Sequence, residues 1–260
     1  MPIQDTQPQT QFKILLIGDN CVDRYNIGTI DRLSPEAPVP VIKIVETYDV
    51  PGMADNVNKN LVNLNCSVVF VTNDELITKT RYIDKRSGQH MLRVDDEPEI
   101  VPWDGDLGEY TLDMFDAVII SDYNKGYITY ENIQNVIDNF EGPVFIDTKK
   151  TDLARIKGAI IKINQLEFSR LTTHPTHSEL IVTHGGDGAA WRGTLYPAKK
   201  VEVSDVCGAG DTFLASLAVQ FLFTKSAENA IIFANIASSI TVQHRGNYAP
   251  SYDEIRNAGY

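Results

Sequence analysis

Apolar residues come in short blocks along this chain, and most blocks end in polar residues. Lys13-Ile14-Leu15-Leu16-Ile17 runs into Gly18-Asp19, and Phe115 to Ile120 runs into Ser121-Asp122. Val144-Phe145-Ile146 runs into Asp147-Thr148-Lys149, and Ala159 to Ile163 into Asn164. Val68 to Thr72 and Glu179 to Thr183 have the same character. Short, near-continuous apolar runs predict strands covered on both faces, as in a parallel sheet. Longer stretches with helical spacing lie between them, at about 129–140, 213–223 and 227–242, and a turn at Pro51-Gly52 leads into a helix to about Leu64. The alternation predicts a three-layer α/β domain, one domain over 1–260, with a mostly parallel central sheet.

Two segments break the pattern. Ser34 to Ile44 carries three prolines, which exclude a long helix, and its tail alternates like a strand. Lys79 to Asp95 reads as two strands around Ser87-Gly88, a hairpin. Together, over roughly 28–48 and 78–96, they predict a small β lid beside the main sheet. Asn20 to Arg24 reads as a continuation of the first strand.

Composition narrows the partners. The chain has 260 residues, enough to bury a sizeable core, and its formal net charge is −12. That charge argues against nucleic acid or an anionic membrane, both of which call for a basic face. Cys21, Cys66 and Cys207 are far apart and form no C-x-x-C pair, which predicts reduced thiols in a cytoplasmic protein. Met1 to Gln11 is polar, without an apolar signal core. The longest apolar run, Phe213 to Phe223, is interrupted by Ser216 and Gln220 and is too short to span a bilayer.

The strongest chemical signal is Asp205-Val206-Cys207-Gly208-Ala209-Gly210-Asp211-Thr212-Phe213, directly before an apolar helix. Small residues at a helix start let backbone amides approach an anion, and the helix dipole favours negative charge there. Asp211 at the mouth of such a site would repel a resident anion, unless it serves to accept a proton from an attacking hydroxyl. The plainer alternative is a helix N-cap. Other positions carry two readings as well. Asp23 is a turn residue or a ligand-binding carboxylate, Asn164-x-x-Glu167 is a helix start or a phosphate and metal site, and Gly185-Gly186 is a hairpin turn or a nucleotide loop. His174-Pro175-Thr176-His177 reads as a polar surface loop.

Asp205 to Asp211 resembles the D-x-x-G-A-G-D signature of the ribokinase-like (PfkB) carbohydrate kinases. Arg32 to Val41 and Ser121-Asp122-Tyr123-Asn124-Lys125-Gly126 resemble its heptose 7-phosphate kinase branch. The resemblance implies a ribokinase-like fold and ATP-dependent phosphorylation of heptose 7-phosphate at its anomeric hydroxyl. Another sugar or nucleoside substrate, or a silent binding homologue, are the alternatives. Gly208, Ala209 and Gly210 would be the anion hole and Asp211 the base. Asp23, Gly52, Asn56, Arg81, Gln89, Arg93 and Lys125 would meet the sugar phosphate. Asn164, Thr183, Gly185, Gly188, Asn235 and Gly246 would hold ATP, and Glu167 would serve Mg²⁺. Met53 stands where the family has the second glycine of its G-G-A-x-N motif, which would set a side chain against the sugar. The resemblance also implies a homodimer through the lid, a shortened segment near 170–178, and, with the chain ending at Tyr260, no nucleotidyltransferase half.

Overall fold

The structure is a computed structural model that describes residues 11–260; the polar segment from Met1 lies, but for Gln11, outside the described residues. The chain opens with β1 (Lys13–Gly18), then β2 (Asn20–Leu33), β3 (Pro40–Met53), α1 (Ala54–Asn63) and β4 (Ser67–Thr72). The hairpin follows as β5 (Thr78–Asp84) and β6 (His90–Asp96). Next come β7 (Ala117–Asp122), α2 (Tyr130–Asn139), β8 (Val144–Thr148), β9 (Ile160–Asn164) and α3 (Gln165–Ser169). The chain closes with β10 (Glu179–Thr183), β11 (Ala189–Trp191), β12 (Thr194–Tyr196), α4 (Ala209–Thr224), α5 (Ala227–Thr241) and α6 (Tyr252–Asn257).

The main sheet has the order β12-β11-β10-β9-β8-β7-β1-β4. It is parallel from β10 to β4, and β11 and β12 add an antiparallel edge. Alternate residues of its central strands feed two apolar clusters. Ile14, Leu16, Ile119 and Phe145 face one cluster, with α1, α4 and α5. Leu15, Ile17, Val118, Ile120 and Ile146 face the other, with Ile133 and Val136 of α2. Burial on both faces is why these strands read as continuous apolar runs. The main sheet is thus the ribokinase-like α/β arrangement that the sequence implies.

A second sheet has the order β3-β2-β5-β6. It is wider than expected, taking in 20–53 and 78–96. β1 stops at Gly18, and after Asp19 the chain enters β2 of the other sheet, so Asn20 to Arg24 does not prolong the first strand. Pro35 and Pro38 lie in the turn between β2 and β3, where no ladder donor is required. Val68 to Thr72 forms an edge strand and not a central one. α4, whose sequence suggests an apolar stripe, is instead buried around most of its circumference, including Ser216 and Gln220.

Candidate active site

The polar ends of β1, β7, β8, β9 and β10 all lie at the carboxyl edge of the parallel sheet, where open α/β folds bind ligands. A cavity of about 440 Å³ opens there. Asp147, Lys149, Lys162 and Asn164 line it together with Gly208, Ala209, Gly210 and Asp211. Val201, Val203, Val206 and Val242 give it an apolar lining, and Asn235, Ser238 and Ser239 line it as well. Thr183, Gly185 and Gly188 complete the wall.

The helix start is built as its small residues suggest. α4 begins at Ala209, and Gly208 caps it in the left-handed conformation at φ 77°. A Cβ on Gly208 would stand 2.6 Å from Asn56 Nδ2, so both backbone and neighbour call for glycine. The amides of Gly210 and Asp211 have no acceptor among the described residues. They are free to take an anion at the positive end of a sixteen-residue helix. Gly188, at φ 108°, lets the turn after β10 close against the Tyr196 carbonyl, 2.0 Å from where its Cβ would be.

Asp211 is not a helix cap. It lies in the first turn of α4, and its carboxylate accepts from Asn56 Nδ2 at 2.7 Å and from the Tyr123 hydroxyl at 3.0 Å. Burial pushes its pKa above the ordinary range and Asp147 pushes the same way, while the Asn56 bond, Lys162 and the Tyr123 bond oppose the rise. A buried carboxylate held by two neutral donors is suited to take up a proton.

The N-x-x-E segment satisfies its plainer reading. Asn164 and Glu167 form a reciprocal capping box on α3, at 2.9 and 2.8 Å. Glu167 also binds the Lys149 ammonium. Burial works against the charge on Lys149, but Asp147 and Glu167 outweigh it and hold its pKa above the usual lysine value. Asp147 pairs with Lys162 at 2.6 Å, while its second oxygen is buried without a hydrogen bond, 3.9 Å from the Lys149 ammonium. Among the described residues, no three or more His, Cys, Asp or Glu side chains converge as a metal-binding group, and His174 and His177 stand in a loop.

The residues expected at the sugar do not line this cavity; apart from Asn56 and Lys125 they lie on the second sheet or its hairpin turn. Asp23 lies inside β2, not in a turn, and binds Arg81 of β5 at 2.6 Å. A Cβ on Gly52 would stand 2.7 Å from that carboxylate. Arg93 lies opposite Arg81 and binds Asp95 at 2.6 Å; Lys125 binds Glu97 at 2.6 Å. Arg93 holds the Asp95 carboxyl below its usual range, and Lys79, its neighbour across the β5–β6 ladder, and Lys125 add to the effect. Gln89 is exposed at the hairpin turn, about 13 Å along β6 from Arg93, and does not join them. Gly246 does not line the cavity; its amide donates to Asp205. Asn235 does line it, and donates to the Tyr196 carbonyl. Met53 does not crowd the sugar side: it is 5% exposed and belongs to the apolar cluster with Cys21 and Ile77.

Sequence reasoning missed Tyr123, Asp147 and Lys162 as site residues. Lys162 had a signal, since a charge interrupts the apolar run Ala159 to Ile163. Asp147 had one too, as an acid at the carboxyl end of a buried strand. Tyr123 carried none beyond its place in Ser121 to Gly126.

The pfkB family carbohydrate kinase model matches residues 81–254. The bifunctional protein HldE of Helicobacter pylori strain J99 is 33% identical over 303 residues, covering 94% of this chain and 65% of that protein. Its counterpart in Pasteurella multocida is 30% identical over 306 residues, covering 95% and 63%. The chain therefore spans somewhat less than two thirds of these relatives. Among solved structures, Arabidopsis thaliana ribokinase complexed with ribose and ATP superposes with a TM-score of 0.72 at 18% identity, covering 96% of this chain and 99% of that one. Escherichia coli phosphofructokinase-2 in complex with potassium gives 0.68 at 15%, covering 95% and 98%.

Proposed function

This chain belongs to the pfkB family of carbohydrate kinases, and on that premise we propose that it transfers the γ-phosphoryl group of ATP to the anomeric hydroxyl of heptose 7-phosphate. The observation that carries the reading is Asp211, a buried carboxylate between two neutral donors, beside the unspent amides at the start of α4. The valines that line the cavity suit a nucleobase, and the start of α4 suits phosphates. Asp23 and Asn56 would orient the sugar so that its hydroxyl faces Asp211. Bond formation to phosphorus makes that hydroxyl acidic late in transfer, and Asp211 takes the proton. The Gly210 and Asp211 amides take charge on the moving group, which is where electrostatic preorganisation has its largest effect.

Mg²⁺ binds through hard oxygens, usually one or two carboxylates together with nucleotide phosphates. The Asp147 oxygen that accepts no hydrogen bond and Glu167 fit that need, provided Lys149, which pairs with both, withdraws. Asp147 and Glu167 would hold the ion, and it would neutralise phosphate charge. The second sheet would act as a lid over the sugar and keep water from the site.

The phosphate already on the sugar is the finer part of the proposal. Arg93 pairs with Asp95, which lies opposite Lys79 on the β5–β6 ladder, and the Arg93–Asp95 and Lys125–Glu97 pairs are partly exposed. Such pairs hold by roughly 0–1 kcal/mol, so a phosphate can displace the carboxylates at little cost. The test is ADP release with heptose 7-phosphate, free heptose, ribose and fructose. Heptose 7-phosphate should be preferred, and Arg93→Ala should weaken that preference about tenfold or more. Free heptose, ribose or fructose as the better substrate would refute the substrate while leaving sugar kinase activity in place.

A further inference from the structure

The geometry points to Lys162 as a further catalytic residue, one that binds the phosphoryl group in transit; this rests on the kinase reading above. Lys162 lies in β9 between Ile161 and Ile163, and its side chain is 3% exposed. Its ammonium has three N–H donors. Asp147 Oδ2, at 2.6 Å, is its one acceptor among the described residues. Nζ also stands 3.0 Å from where a Cβ on Gly210 would be, so it sits against the first turn of α4. Lys162 and Gly210 line the same cavity as Asp211.

Stability alone does not account for this placement. A buried ion pair loses about as much in desolvation as it gains in attraction, and apolar side chains of similar volume serve a sheet as well or better. A neighbouring strand position such as Ile161 shows what that would look like. A cation with donors to spare, beside unspent amides at a helix start, forms a site for a doubly or triply charged oxyanion. Asp147 fixes the ammonium in place.

In the transfer step, the bond between phosphorus and the bridging oxygen of the nucleotide breaks. A bond from the sugar hydroxyl oxygen to phosphorus forms, and the hydroxyl proton goes to Asp211. Lys162 gives up no proton. Its two remaining N–H groups bind the equatorial oxygens of the moving group, beside the Gly210 and Asp211 amides.

The test uses the whole chain and Lys162→Gln, whose amide still donates to Asp147 but carries no charge. Two quantities are read: kcat for ADP release with heptose 7-phosphate, and thermal stabilisation by ADP with Mg²⁺, with and without aluminium fluoride as the phosphoryl mimic. The expected result is a kcat lower by about 10²–10³, typical of losing one transition-state donor. Stabilisation by ADP alone should persist, and the added gain from aluminium fluoride should disappear. Lys162→Arg should recover part of both. A variant that keeps wild-type kcat and the full aluminium fluoride gain overturns the Lys162 assignment alone. A wild type that gains nothing from aluminium fluoride and releases no ADP with any sugar overturns the kinase reading together with it. If Lys162→Gln does not fold, Lys162→Met combined with Asp147→Asn removes both members of the buried Lys162–Asp147 pair. Measured against Asp147→Asn alone, it should show the same further loss, and equal behaviour of the two overturns the assignment.

Discussion

Met53 offers a test in which backbone strain and side-chain packing pull in opposite directions. It precedes α1 with φ 54° and ψ −127°, a conformation open to glycine and costly for any residue with a Cβ. Its side chain is nonetheless 5% exposed and packed in the apolar cluster beneath β1 and β7. The strain should cost about 1–3 kcal/mol. Burying the side chain should return about 2–5 kcal/mol, the usual loss when a core methionine becomes alanine. Met53→Ala keeps the strain and loses the packing, so it should destabilise by about 2–5 kcal/mol. Met53→Gly loses the packing and the strain together. In an ordinary helix or strand glycine is worse than alanine by about 0.5–1 kcal/mol. Here the order should invert, with Met53→Gly the more stable of the two by about 1 kcal/mol or more. Urea unfolding of the three proteins at one pH, with equal slopes, measures both differences. A glycine variant less stable than the alanine variant would show that the backbone at Met53 is not strained.

Two further predictions concern titration. Tyr123→Phe removes a donor that holds the Asp211 carboxyl down, so that carboxyl should rise further. Asp211 must be ionised to accept a proton, so turnover should fall more at pH 6 than at pH 8, and an acid limb that does not move would refute the role of the hydroxyl. Asp19 is fully buried; burial raises its pKa from 3.8 to about 6, and Asp122 pushes the same way. A raised folded-state value means that the contribution to stability is complete below pH 3.8 and is lost as pH climbs to about 6. The loss is roughly 3 kcal/mol. The stability of Asp19→Asn relative to wild type should therefore improve between pH 4 and pH 7, and a difference that stays constant over that range would contradict the burial argument.

The parts of this molecule that were legible in the sequence are those set by local rules. Ile14 to Ile17 and Val118 to Ile120 read as doubly covered strands because helices do cover both faces. Gly208 announced a helix start because only glycine suits its φ and its contact with Asn56. What the sequence hid depends on contacts distant along the chain. Asp211 meets Asn56 and Tyr123, which lie 155 and 88 positions away, so nothing local told a base from a cap. Asp23 looked like the end of a strand because the change of sheet at Asp19 is a tertiary event. Gln89 and Arg93 are both expected at the sugar phosphate, yet the hairpin turn puts Gln89 in solvent while Arg93 pairs with Asp95 and lies opposite Arg81. Met53 suggested a crowded sugar pocket because the direction of its side chain follows from a backbone conformation that its residue type disguises.

The central claim is that Asp211 accepts a proton during phosphoryl transfer from ATP. Its most direct test is the kcat of Asp211→Asn for ADP release with heptose 7-phosphate, beside the affinity of the same variant for ATP. Asparagine preserves the size of the side chain and one acceptor for Asn56 or Tyr123 but cannot take the proton. The account predicts a fall in kcat of about two to four orders of magnitude, with ATP still bound. A variant that turns over at close to the wild-type rate would contradict it.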